Sequence, residues 1–185
     1  MKKEIPNKTN KILRKFLDID ETIYLYNKKK DLRIMKLISH RGNINGPIPE
    51  IENNPLYIKK AIELGYEVEV DVRLHNDELF LGHDTPDYRV DIPWLFMLSD
   101  KLWIHTKNFE ALNLLIDINE LKVFYHQIES HTIINNCKLI WSHNLIEASN
   151  KSIIPLLSDN DIDKWVKKDV YGVCSDYVNK LKVNK

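Results

Sequence analysis

The chain has 185 residues, of which 43% are hydrophobic and 29% charged, and its formal net charge is zero. That length suits one domain with a substantial buried core. No segment approaches the roughly 20 apolar residues of a membrane span, and residues 1–10 lack the apolar stretch of a secretory signal. Cys137 and Cys174 show neither metal-ligand spacing nor a disulfide pattern. We therefore expect a soluble protein in the reducing cytoplasm.

Charge is unevenly distributed along the chain. Through Lys36 there are eleven Lys and Arg against five Asp and Glu, whereas the rest carries sixteen against twenty-two. Apolar residues at helical spacing from Ile12 to Leu17 predict one or two helices in an N-terminal extension, residues 1–35, ahead of a domain at 36–185. A basic helix of this kind is usually a solvated face, and the alternative is a tether to an anionic membrane. No nucleic-acid partner is expected.

From residue 36 onward, short apolar strands alternate with helical segments. The first helix has Asn54 as its cap, Pro55 at its first position and Gly65 as its terminator, and a second covers 109–116. Strand, helix and strand at this spacing predict parallel βαβ units. Polar residues follow the predicted strands: His40, Asp71, His105, His126, His143 and Asp176. The carboxyl ends of barrel strands meet at one mouth, so these side chains are expected to converge.

The predicted fold class is α/β, as a compact, truncated TIM-like (β/α) barrel with six or seven parallel strands and reduced outer helices. About 145 residues must form a barrel that usually takes about 250. The shortage falls after His126, where we expect an open strand edge. The N-terminal helices or a second subunit, as in a homodimer, would cover that edge.

One strand carries the strongest chemical signal. Val68, Val70 and Val72 alternate with Glu69 and Asp71, which places three valines on one face and two carboxylates on the other. Two buried carboxylates need compensation, and a hard divalent cation is the simplest source of it. The alternative is a buried ion pair with Arg41 and Lys107, which would form a binding pocket without metal.

Four separated elements occur in order along the chain: His40-Arg41-Gly42, Glu52-Asn53, Glu69-x-Asp71 and Gly82-His83-Asp84. In this order and spacing they resemble the signature of the glycerophosphodiester phosphodiesterase family, whose members are TIM barrels. The resemblance covers about residues 37 to 178, with weaker similarity at Lys107, 140–142 and 172–177. It leaves the N-terminal extension uncovered.

The resemblance implies a metal-dependent phosphoric diester hydrolase acting on glycerophosphodiesters or related lipid headgroups, with a small phosphodiester as its partner. It implies these roles: His40 and His83 as the acid–base pair, Glu69 and Asp71 as metal ligands, and Arg41 and Lys107 as phosphate contacts. Glu52 would lie at the mouth, either as a ligand itself or as a partner that supports the binding residues. Trp141 is a candidate substrate platform, with packing inside the barrel as the alternative. His83 has the alternative of a solvated loop residue. Water or a neighbouring substrate hydroxyl can serve as the nucleophile.

One position departs from the family pattern. His105 stands where the family usually has a third acidic ligand, so the predicted metal ligands are Glu69, Asp71 and His105. Mg²⁺ or Ca²⁺ is expected, and the softer imidazole moves the preference towards Mn²⁺ or Zn²⁺. His126 and His143 at the same mouth can compensate. The alternative function is a catalytically degenerate module that binds phosphate or a phosphodiester.

Overall fold

The structure is a computed structural model that describes residues 35–163 and 169–183. The predicted N-terminal helices lie outside the described residues. Among the described helices, none has the length and apolar character needed to cross a membrane.

Strands and short helices alternate along the first two thirds of the described chain, and strands dominate the rest. The strands are β1 (Lys36–His40), β2 (Glu67–His75), β3 (Glu78–Leu81), β4 (Tyr88–Val90), β5 (Leu102–Thr106), β6 (Val123–Phe124), β7 (His131–Ile134), β8 (Leu139–Ser142), β9 (Ser152–Leu156) and β10 (Gly172–Ser175). The helices are α1 (Pro55–Glu63), α2 (Ile92–Met97), α3 (Phe109–Leu115), α4 (Asp159–Asp163) and α5 (Val178–Val183).

Seven strands form a parallel sheet in the order β6-β5-β2-β1-β10-β9-β8. This agrees with the predicted parallel α/β sheet of six or seven strands and few outer helices. The sheet curls like a TIM-type barrel, but three further strands are antiparallel: the β3–β4 hairpin continues from β2, and β7 pairs with β8. These three strands were not predicted from the sequence.

Strand β7 lies beside β6, at the edge that was expected to be open. The backbone N–H of Asn135 donates to the carbonyl of Val123 at 2.9 Å, and the Val123 N–H donates to the Asn135 side chain at 2.7 Å. The Thr132 hydroxyl donates to the Tyr125 carbonyl at 2.9 Å. Too few residues follow His126 for a crossover helix, so the chain returns as an antiparallel strand and covers this edge itself.

Helix α1 forms where the sequence predicts it. The Asn54 side chain accepts a hydrogen bond from the backbone N–H of Leu56, and Pro55 occupies the first turn, where no N–H is required. Gly65 follows the helix with φ +90°, a conformation that favours glycine. Asn108 caps α3 and also holds the end of β2 through two hydrogen bonds with the backbone of Leu74.

The two faces of β2 enter different environments. Val68, Val70 and Val72 are fully buried in a core that includes Ile58 of α1 and Leu115 of α3. A second core inside the curl contains Ile38, Trp103, Phe124, Trp141 and Ile153. Because side chains alternate along a strand, Glu69 and Asp71 lie on the inner face, above this second core.

Candidate active site

Three predicted metal ligands come together on two neighbouring strands. β2 and β5 pair so that Asp71 lies opposite His105. The Nδ1 atom of His105 is 3.3 Å from Oδ1 of Asp71 and 3.6 Å from Oε1 of Glu69. All three residues are buried, and their candidate ligand atoms lie within 4.8 Å of one another.

Two carboxylate oxygens in this cluster are buried without a hydrogen-bond partner among the described residues: Oε2 of Glu69 and Oδ1 of Asp71. The other oxygen of Asp71 accepts from Asn53 at 3.0 Å, and the Asn53 side chain accepts from the Asp71 N–H at 2.9 Å. Leaving a buried anionic oxygen unpaired is costly. Two such oxygens beside an imidazole form a donor set that suits a divalent cation.

Arg41 lies beside the cluster and is held by two acidic residues. Its Nε atom is 2.7 Å from Oδ2 of Asp71, without the alignment of a hydrogen bond, and its Nη1 donates to Glu52 at 3.0 Å. Lys107 Nζ is 3.7 Å from Oδ1 of Asp71. Burial would raise the pKa of the Asp71 carboxyl, but His105, Arg41 and Lys107 hold it well below the ordinary range. Of the ion pairs considered from the sequence, those of Asp71 with Arg41 and Lys107 are therefore present, whereas the charged neighbours of Glu69 are His40 and His105.

Glu52 contacts Arg41 and accepts a second hydrogen bond from Asn43 at 2.8 Å. It fixes the direction of the guanidinium, which itself lines the pocket. This contact suits the role of a partner to Arg41, the second of the two roles considered for Glu52.

His40 is anchored by an aspartate at the end of the last strand. Its Nδ1 lies 2.7 Å from Oδ1 of Asp176, and its Nε2 lies 3.8 Å from Oε2 of Glu69. Burial lowers the pKa of His40, but the hydrogen bond to Asp176 and the charge of Glu69 outweigh burial, and the net pKa is raised. Nδ1–H therefore donates to Asp176, and Nε2 is left to face the pocket.

His83 lies in the loop after β3, and 40% of its side chain is exposed. Its Nδ1 pairs with Asp84 at 2.8 Å. The Arg73 guanidinium donates to the carbonyls of Gly82 and His83, which fixes the backbone of the loop. His83 is thus more exposed than His40, and it lines the same pocket.

Aromatic and imidazole rings form one wall of the pocket. The His105 ring stacks on His126 at 4.7 Å and on Phe124 at 5.0 Å, with interplanar angles of 5° and 6°. Trp141 is 3% exposed and stacks on Phe124, with the ring centroids 4.5 Å apart. Trp141 therefore packs inside the curl, which is one of the two alternatives considered from the sequence, and it also lines the pocket. Its role as a substrate platform stays a prediction.

The pKa values of the three histidines along this wall are shifted in different directions. Burial disfavours the imidazolium of His105, but Asp71 and Glu69 outweigh it and raise its pKa to about 8. Burial and the neighbouring charge of His105 lower the pKa of His126 to about 4, and the pKa of His143 is lowered for the same reasons. Near neutral pH the wall therefore places one charged imidazole beside two neutral ones.

The pocket above the carboxylates has a volume of about 400 Å³. Seven of the predicted site residues line it: His40, Arg41, Glu69, His83, His105, Lys107 and Trp141. Asp71 and Glu52 act from behind this lining, through Arg41. The structure thus places two histidines, two cationic side chains and a donor set that suits a cation around one cavity.

Sequence reasoning assigned no role to two residues in this network. Asp176 follows the last strand, a position that does predict a place at the mouth. Asn43 donates from Nδ2 to Asp176 at 2.7 Å and to Glu52 at 2.8 Å, which joins the partners of His40 and Arg41. No sequence signal marked Asn43, because its partners are brought to it by β10 and by the loop before α1.

No family model and no curated protein matches the chain. Among solved structures it is similar to the crystal structure of a glycerophosphodiester phosphodiesterase from Thermotoga maritima, determined at 1.60 Å. The TM-score is 0.45 and the identity 18%, and the match covers 81% of this chain and 98% of that one. That protein carries the name of the family that the sequence motifs resemble. At this level of likeness no residue role is taken from it.

Proposed function

We propose that the protein is a metal-dependent phosphodiesterase that hydrolyses glycerophosphodiesters or related lipid headgroups. The observation that carries the proposal is the pair of buried carboxylate oxygens without a hydrogen bond, on Glu69 and Asp71, beside the imidazole of His105. The substrate class comes from the sequence motifs, and the chemistry comes from the side chains around the cavity.

The residues present fit a divalent cation. Glu69 and Asp71 would supply oxygens and His105 would supply Nδ1, a mixed set that suits Mn²⁺ or Zn²⁺ as well as Mg²⁺. When bound, the cation would polarise the phosphate and neutralise the charge that develops on its oxygens. Arg41 and Lys107 line the same cavity and would bind the remaining non-bridging oxygens, Arg41 through its planar fork.

His40 suits the role of general base. Asp176 holds its Nδ1 proton, so Nε2 is the atom that can accept a proton from attacking water or a substrate hydroxyl. A cation on Glu69, whose Oε2 is 3.8 Å from Nε2, would oppose the imidazolium and favour the neutral form. His83 then suits the role of general acid, because its exposed ring can deliver a proton to the leaving alkoxide and regain one from solvent.

Turnover assays on chelator-treated protein test this proposal. Glycerophosphocholine and bis(p-nitrophenyl) phosphate are supplied in turn with Mg²⁺, Ca²⁺, Mn²⁺ and Zn²⁺. We expect metal-dependent product that falls about 10²-fold or more in His40→Gln and in His83→Gln, the usual contribution of acid–base groups. His75→Gln, at an exposed residue at the end of β2, is the matched control. Wild-type turnover no higher than that of a variant carrying both His40→Gln and His83→Gln, with every metal, would refute the proposal.

A phosphate-binding module without catalysis is the second candidate. Arg41 at 2.7 Å from Asp71, and His105 with a pKa of about 8, supply positive charge to both carboxylates without metal. This candidate predicts that inorganic phosphate or glycerol phosphate raises the melting temperature equally with and without EDTA, and that no product forms. Turnover that disappears on adding EDTA would exclude it.

Membrane tethering by the basic N-terminal extension, homodimer formation and a cytoplasmic location stay predictions. Cosedimentation with anionic vesicles, comparing the full chain with a chain lacking residues 1–34, tests the first. Sedimentation velocity at several concentrations tests the second. Equal vesicle binding by both chains, or a monomer at every concentration, would contradict them.

A further inference from the structure

Two imidazoles outside the carboxylate cluster point at each other across the pocket wall. His126 follows β6 and His143 follows β8, and their Nε2 atoms are 3.1 Å apart. The ring centroids are 4.6 Å apart, with the rings tilted by 55°. Trp141 Nε1 lies 3.3 Å from the same Nε2 of His143. Three nitrogens therefore converge on one point.

Hydrogen bonds cannot satisfy all three of these nitrogens at once. A neutral imidazole has one N–H donor and one acceptor nitrogen, and the indole N–H is only a donor. If Nε2 of His143 is the acceptor, its single lone pair receives both the Trp141 N–H and the His126 N–H. If Nε2 of His143 carries the proton instead, that N–H faces the N–H of Trp141. If Nε2 of His126 is an acceptor as well, two lone pairs face each other at 3.1 Å. No combination of tautomers therefore satisfies all three nitrogens.

A cation between the two imidazoles fits the spacing. Zinc binds histidine nitrogens at about 2.0–2.1 Å, and two such ligands at a tetrahedral angle lie about 3.3 Å apart. The observed separation of 3.1 Å is close to that value, so binding needs little movement of either ring. Imidazole donors select Zn²⁺, Cu²⁺ and Ni²⁺ over Mg²⁺ and Ca²⁺.

This pair is separate from the carboxylate cluster. His105 directs Nδ1 to Asp71 and Glu69, and its Nε2 lies 3.3 Å from the carbonyl of His126. The His105 and His126 rings stack nearly parallel at 4.7 Å, so neither imidazole directs a nitrogen at the other. The imidazole nitrogens of His126 and His143 take no part in the first donor set. We propose that His126 and His143 bind a second cation, a transition metal such as Zn²⁺.

The surroundings set the expected strength of this site. The protein supplies two ligands, so water or a phosphate oxygen must complete the coordination, and both residues line the pocket that also contains Arg41 and Lys107. The Nδ1 atom of His126 is buried without a partner among the described residues, whereas a ligating histidine usually donates from its second nitrogen. We therefore expect binding about 10- to 100-fold weaker than at a fully supported site.

Zinc stoichiometry tests the proposal, independently of turnover. Chelator-treated full-length protein is titrated with Zn²⁺ at pH 8 by calorimetry, and bound metal is counted after dialysis. We expect two equivalents for the wild type, one for Glu69→Gln, one for His143→Gln and none for the double variant. His126→Gln repeats the test of the histidine pair, and circular dichroism verifies that each variant is folded.

His131→Gln is the matched control for surface binding, because His131 is exposed, lies 3.5 Å from Glu147 and does not line the pocket. It should retain two equivalents. A wild-type zinc count that both His143→Gln and His126→Gln leave unchanged, or loss of an equivalent in His131→Gln, would overturn the proposal. A single wild-type equivalent that His143→Gln removes would refute the carboxylate site and leave this one standing. A protein that binds two equivalents but turns over no phosphodiester would refute the proposed function and leave this site standing.

Discussion

The imidazole of His40 and the carboxylate of Asp176 lie 2.7 Å apart although 136 positions separate them in the chain. Their contact follows from the pairing of β1 with β10, in which Ser39 lies opposite Ser175. The next residues along the two strands, His40 and Asp176, therefore enter the mouth side by side. The first and the last strand thus build the candidate base and its anchor together.

Asp176→Asn should lower turnover about 10²-fold or more while the protein stays folded. An amide can donate to Nδ1 of His40 as well as accept from it, so the orientation and the tautomer of the ring are no longer fixed. Loss of the carboxylate also lowers the pKa of His40, so the acidic limb of the pH–rate profile should move to lower pH. The measurement is kcat against pH for glycerophosphocholine. Asp169→Asn, at an exposed residue, is the control, and an unchanged profile in Asp176→Asn would contradict the assignment.

Cation binding at the carboxylate cluster should strengthen with pH up to about 8. The pKa of His105 is raised from about 6.5 to about 8 in the metal-free protein, so its bound proton stabilises the fold below about pH 6.5 and is lost as the pH rises through 8. A cation on Nδ1 must displace that proton, so apparent affinity should increase by up to about tenfold per pH unit and then level off. Calorimetry with Mn²⁺ at pH 6, 7 and 8.5 measures this.

The matched variant for that measurement is His105→Gln, which should bind Mn²⁺ more weakly and with little dependence on pH over the same range. Equal affinity of the wild type for Mn²⁺ at pH 6 and pH 8.5 would show that the cation does not displace a proton from His105.

Gly82→Ala should reduce turnover and stability together. Gly82 has φ +146°, and an added methyl group would overlap the carbonyl oxygen of Thr85 and approach Asp87 Oδ2 to 2.7 Å. Backbone must then shift beside His83, at a cost of about 1–3 kcal/mol. Urea unfolding and kcat are the two measurements.

Gly65→Ala is the control for Gly82→Ala, because it strains the backbone without displacing the loop that carries His83. Gly65 also has positive φ, at +90°, but an added methyl group would meet nothing within 4 Å. It should lose about 1 kcal/mol of stability and retain its turnover. Equal turnover in the two alanine variants would indicate that the geometry of the His83 loop does not matter for the reaction.

Glu67→Ala should destabilise the fold by about 2–4 kcal/mol without changing kcat. Glu67 lies at the start of β2, at the end of the sheet opposite the pocket, and accepts from Trp103 Nε1 at 2.9 Å and Lys36 Nζ at 2.5 Å. Its removal leaves the indole N–H without an acceptor and removes the carboxylate 3.8 Å from Lys122. Glu78→Ala, which breaks an exposed pair with Arg89, should cost less than about 1 kcal/mol. Equal losses in urea unfolding would contradict this account.

Local patterns accounted for much of the fold. The cap at Asn54, the proline after it and Gly65 specified helix α1, because each acts on backbone groups within a few residues. The β2–β3 hairpin was missed although its turn was readable: Asn76 and Asp77 lie between the two strands and take φ +49° and +60°, the conformations that Asn and Asp tolerate in tight hairpins. Strand β7 had no comparable signal, because three of its four residues are not buried.

The alternation of valine and carboxylate in β2 determined by itself that Glu69 and Asp71 share a face, because a strand repeats every two residues whatever surrounds it. The polar strand ends likewise determined which side chains could meet. Only the tertiary structure decided the partners: Asp176 for His40, Glu52 for Arg41, and His143 for His126. Those contacts depend on strand register and on the curl of the sheet, which come from packing between distant segments, so no local pattern in the chain encodes them.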